Sequence, residues 1–77
     1  MTRSIAVIAR EITADWFPVN FAAVPYLRAM HDLTDVTDSY GADSARSVIS
    51  YFICNATQWR GPTARKIKAE LRAMVAR

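Results

Sequence analysis

Seventy-seven residues with a formal net charge of +3, one cysteine and one histidine leave few options. A chain this short buries roughly 60–65% of its unfolded surface, so residues 1–77 are read as a single helical domain with one modest core. Lone Cys54 and lone His31 exclude an intramolecular disulfide and a multi-cysteine metal staple, and a single thiol fits a reducing compartment.

The opening, MTRSIAVIAREI, has the basic residue and short apolar run of a secretory signal, but Arg10 and Glu11 interrupt the run. The expectation is a protein of the cytoplasm. No stretch reaches the roughly 18–20 uninterrupted apolar residues a membrane-spanning helix needs. With two glycines, three prolines and no sustained apolar/polar alternation, the composition points to helix rather than sheet.

Four helices are predicted. The first covers about 4–16, capped by Thr2 or Ser4, with Ile5, Ile8, Ala9, Ile12 and Trp16 as its apolar stripe. It stops before Pro18, which forces Phe17 toward an extended conformation. Asn20 has the character of an N-cap, but Pro25 is best placed in a first turn, so the second helix is expected over about 23–40, closed by Gly41. The segment TDVTD, 34–38, has poor helix propensity and provides for a break near 34.

The third helix, about 43–59, is the expected centre of the fold. Asp43 is its anticipated N-cap, and residues 47–59 carry no charge. Ala45, Val48, Ile49, Phe52, Ala56 and Trp59 step by three and four along one face. Gly61 and Pro62 then form a stop and restart, opening a fourth helix over about 62–76 with Ala64, Ile67, Leu71, Met74 and Val75 on one side. The fold class is therefore all-α, a compact four-helix bundle.

Charge is unevenly spread. From Arg60 to Arg77 six basic residues face only Glu70, whereas Asp32 to Asp43 holds four acids and no base. Arg65, Lys68 and Arg72 share one helical stripe. With Arg60 they form the candidate contact for nucleic-acid phosphates. A solvated polar face is the plainer account of the same residues. The segment also lacks helix-turn-helix proportions, because the helix before the Gly-Pro turn is long.

Catalytic patterns are missing. There is no metal-ligand spacing, phosphate-binding glycine loop or nucleophile elbow, so the chain is read as non-enzymatic, without cofactor, metal or small-molecule substrate. A Cys54/His31 nucleophile and base would need the fold to bring them together; Cys54 reads instead as a small filler against a neighbouring helix. Asp35/Asp38 and Glu11/Asp15 are carboxylate pairs on one helical side, more simply solvated than catalytic. Asn55, between Tyr51 and Trp59 at the edge of the apolar face, reads as a buried amide that fixes helix register. The functional alternative is an exposed partner-binding patch of Tyr51, Asn55, Trp59 and Arg60, residue types that dominate protein interfaces.

The string YGADSARSVISYF, 40–52, followed by NATQWRGPTARKIKAEL, 55–71, resembles small phage- and prophage-encoded proteins of unknown function that carry a YGxDS…YFxxNAxxWRGxxAxxIKxEL signature. The likeness covers the C-terminal half, with VPYLRAM, 24–30, more weakly similar. It implies a short accessory protein acting in the cytoplasm of a bacterial host, and no site residue carries over. The functional expectation is a binding module that docks on a protein partner or self-associates, supported by eight aromatic residues in so small a chain. The alternative is nucleic-acid binding by the basic C-terminal helix.

Overall fold

The structure, a computed structural model, describes residues 3–35, 37–40 and 43–76, with Tyr40 described by its backbone alone. Four α-helices carry the core: α1 (Ile5–Asp15), α2 (Val24–His31), α3 (Ala45–Cys54) and α4 (Pro62–Val75). α1 packs on α2 and α4, and α3 packs on the same two helices, so the four close into a ring of contacts. The buried apolar side chains of all four belong to one cluster centred on Ile8, Met30, Ile49, Phe52, Ile67 and Leu71. The all-α bundle is thus observed. Among the described residues no helix is long and apolar enough to cross a membrane.

α1 forms as its local signals direct. The Ser4 hydroxyl accepts from the Val7 N–H at 3.2 Å, and the stripe Ile5, Ile8, Ala9, Ile12 is fully buried. Trp16 ends the helix, one residue before the cis Phe17–Pro18 peptide. Asn20 is a cap, as expected: its Oδ1 accepts from the Ala22 N–H at 3.2 Å. It opens a single 3₁₀ turn, Phe21–Ala23, that leads directly into α2 with Pro25 in the first turn.

α2 is shorter than predicted. It ends at His31 rather than near 40, close to the break foreseen near 34, and Thr34, Asp35, Thr37 and Asp38 are not helical. The Asp38 carboxylate accepts from the N–H groups of Thr34 (2.8 Å) and Asp35 (3.0 Å). An aspartate offering such bonds competes with the helical ladder. The freed chain gains a second use, because the carbonyls of Leu33 and Thr34 accept from the Ala6 and Ile5 N–H groups at 2.9 Å each. Those are N–H groups of the first turn of α1, which no helical carbonyl can reach. The end of α2 therefore caps the start of α1. Gly41, the expected terminator, lies outside the described residues.

Asp43 is not the N-cap of α3. It pairs with Tyr40, and Ser44 with Ser39, in an antiparallel ladder of two residues per strand, β1 (Ser39–Tyr40) and β2 (Asp43–Ser44). The cap is Ser44, whose Oγ accepts from the Ser47 N–H at 3.1 Å. α3 also stops at Cys54 instead of 59. There the Asn55 amide reaches back to the Tyr51 carbonyl at 2.8 Å, and successive turns bond Ala56 N–H to Ile53 O and Trp59 N–H to Ala56 O. Ala56 and Trp59 remain buried all the same. Apolar spacing foretold burial correctly, while the helix that would have delivered it gave way to tight turns. Gly61 closes the connection at φ 109°, a conformation L side chains rarely adopt, and Pro62 starts α4 as anticipated.

Candidate interaction surfaces

The connection between α3 and α4, residues 55–61, positions most of the candidate side chains, and it does so around a closed aromatic corner. Trp59 stacks on Trp16 with centroids 5.7 Å apart and planes within 10°. Phe52 meets both rings edge-on, at 6.2 Å from Trp16 and 6.4 Å from Trp59. Such contacts add about 0.5–1.5 kcal/mol beyond the area they bury. The polar edge of Trp59 is also committed, since its indole N–H donates to the Asp15 carboxylate at 2.8 Å. On the other side the Lys68 ammonium lies 5.8 Å from the ring centroid and donates to the Trp59 carbonyl at 2.6 Å.

This arrangement breaks up the predicted patch of Tyr51, Asn55, Trp59 and Arg60. Trp59 is only 2% exposed, because it sits where α1, α3 and α4 meet and fills the corner with Trp16 and Phe52. Its ring offers nothing to a partner. Asn55 is half-buried and acts as the C-cap of α3 rather than as a buried lock between helices. Its carbonyl accepts from the Asn20 amide at 3.5 Å, a tie to the α1–α2 connection. Tyr51 is half exposed and packs on Tyr26 at 5.5 Å; Arg60 is exposed.

The basic group stays closer together. Arg60, Arg65 and Lys68 line a concavity of about 360 Å³ together with Trp59, Gly61 and Ala64. Arg72 lies near enough to act on Lys68. Burial first, then the charges of Arg72 and Arg60, hold the Lys68 ammonium below its ordinary range. None of Arg60, Arg65, Lys68 and Arg72 has a carboxylate of a described residue within ion-pair distance. Glu70, the acid of α4, is turned to Arg3 instead, with contacts of 2.6 and 3.1 Å. That hydrogen bond from Arg3 holds the Glu70 carboxyl below its usual range. Arg3 also pairs with Glu11.

Cys54 is exposed, which corrects its expected place as filler between helices: α3 ends there, and its side chain turns to solvent. The His31 ring is engaged with the Thr13 hydroxyl, Nε2 to Oγ1 3.2 Å. The carboxylate pairs also have structural partners. Asp15 serves Trp59, Glu11 serves Arg3, and Asp38 caps the turn after α2.

Sequence reasoning missed the most exposed aromatics. Phe17 is 86% and Phe21 90% exposed. Both belong to the connection between α1 and α2, and Phe21 lines a shallow apolar groove of about 480 Å³ with Ala22, Val24, Pro25 and Arg28. The signal was available, since Phe17 falls off the α1 stripe next to Pro18 and Phe21 follows a capping Asn20. Neither has a place in the helical periodicity that selects core residues.

Searches against protein-family models, curated proteins and solved structures find no match to this chain.

Proposed function

We propose that the protein is a small non-enzymatic binding module that docks on a partner protein through the exposed α1–α2 connection, using Phe17 and the apolar groove at Phe21 and Pro25. The observation that carries this reading is the near-complete exposure of Phe17 and Phe21 in a chain whose core is already closed. Leaving two large rings in water forgoes about 1.5–3 kcal/mol of burial for each, and exposed apolar patches mark interaction sites more often than they occur by chance. The partner presents an apolar segment with a carboxylate beside it, because Arg28 is the charged residue on the rim of the groove.

Its role is that of a short accessory protein in the cytoplasm of a bacterial host, in keeping with the resemblance to phage-encoded proteins. The test compares wild type with Phe17→Ser/Phe21→Ser as immobilised bait in nuclease-treated bacterial lysate, with sedimentation velocity in parallel. A retained protein that the double variant loses, while its helical circular dichroism is unchanged, supports the reading. Identical retention by both baits sinks it. A wild-type dimer that the double variant loses reassigns the surface to a second copy of the chain.

A further inference from the structure

The basic concavity at the start of α4 is separate from the Phe21 groove. Among the described residues no carboxylate pairs with its cations, and Lys68 is bonded to a neutral carbonyl and a ring face. Glu70, the acid of α4, lies on the opposite side of the helix from this stripe and pairs with Arg3. Arg60, Arg65 and Arg72 are exposed. The cluster keeps its positive charges close together, and Lys68 is held below its ordinary range by burial first and then by Arg72 and Arg60.

The layout discriminates among anions. Arg65 and Arg72 stand seven positions apart on α4, about 10 Å along the axis at 1.5 Å per residue. An isolated phosphate occupies one point of such a row. A run of phosphodiesters, spaced about 3.4 Å per strand along a duplex axis, fills it. Among the described residues lining the concavity, the one aromatic ring is Trp59, and it is stacked on Trp16 and buried, so the site offers no ring face to a base.

We infer that Arg60, Arg65, Lys68 and Arg72 form a contact site for the sugar–phosphate backbone of nucleic acid, indifferent to sequence. Neutralising up to four phosphates releases their counterions. Affinity for duplex then falls with a logarithmic salt slope of about −3.6, a loss of about 100-fold between 50 and 200 mM salt.

The experiment is fluorescence anisotropy with a labelled 20-base single strand and a 20-base-pair duplex, each at both salt concentrations. Arg65→Gln/Arg72→Gln reduces the slope by about 2, and these exposed, unpaired side chains leave the thermal melt unchanged. Lys66→Gln, on the same helix but off the stripe, keeps the wild-type slope. Three outcomes overturn the inference: no binding of either probe at 50 mM salt; equal loss with Lys66→Gln, which makes the effect one of net charge; or binding of a phosphopeptide in preference to both oligonucleotides.

Discussion

Trp16 and Phe17 are chain neighbours with opposite fates. Trp16 enters a three-ring corner with Phe52 and Trp59, and Phe17 is left 86% exposed. The residue types are alike in hydrophobicity, so composition does not separate them. The difference is geometric. Trp16 continues the stripe of α1, four residues beyond Ile12, and reaches the meeting point of three helices. Phe17 comes after the helix has ended and has no neighbouring element to cover it. Polar ties then seal the corner, Asp15 on the indole N–H and Lys68 over the ring face, whereas among the described residues the Phe17–Phe21 connection is held by the Asn20 cap and its contact to Asn55.

Substitutions in the corner and in the exposed connection should differ in effect, the corner giving the largest. Phe52→Ala removes the ring that both tryptophans pack against and should cost about 3–5 kcal/mol. For a domain this small that approaches the whole stability margin, and chemical denaturation should find a chain largely unfolded without denaturant. Asp15→Ala leaves the Trp59 indole donor unsatisfied at a buried site and should cost about 1–3 kcal/mol, read as a lower urea midpoint at unchanged m-value. Lys68→Ala removes the cation over Trp59 and should cost about 1 kcal/mol; a negligible effect would mean that the corner is sealed by packing alone.

Two carboxyls remote from the aromatic corner, Glu70 and Asp38, give a pH-dependent reference. Glu70 is held below its ordinary range chiefly by the hydrogen bond from Arg3, and Asp38 by the N–H groups of Asp35 and then Thr34. A carboxyl with a depressed folded pKa contributes stability above its unfolded value, near about 4, and loses it as pH falls through the folded value. The Tm should therefore be level from pH 7 to about 5 on account of these groups and decline below about 4. The effect should be modest, because both groups are largely solvated. The smallest change belongs to Phe21→Ser, within about 0.5 kcal/mol of wild type as a surface substitution. If it destabilised the fold as Phe52→Ala does, the distinction between the corner and the exposed connection would fail.

The two charged ends differ in the same instructive way. The acidic stretch is structurally occupied: Asp38 organises the turn after α2, and Asp43 sits in the short ladder. Among the described residues of the basic end, Lys68 is the cation with a hydrogen-bonded side chain. Both were visible in the sequence as charge runs, and only contacts distinguish a run that stabilises turns from one with charge to spare.

What the sequence determined by itself was everything governed by neighbours a few positions away. The all-α class, the Ser4 and Asn20 caps, the stop before Pro18, the Gly61–Pro62 restart and the buried faces of α1 and α4 all follow from local spacing and backbone restriction. Even Ala56 and Trp59 were marked for burial. Tertiary structure decided what depended on distant groups. The break after α2 was signalled locally by 34–38, but that the carbonyls of Leu33 and Thr34 then cap α1, nearly thirty positions earlier, depended on the tertiary fold. Trp59 leaves the candidate patch because Trp16, Asp15 and Lys68 enclose it. Whether an aromatic ring is core or surface is set by which elements arrive beside it, and local periodicity carries no record of that arrival.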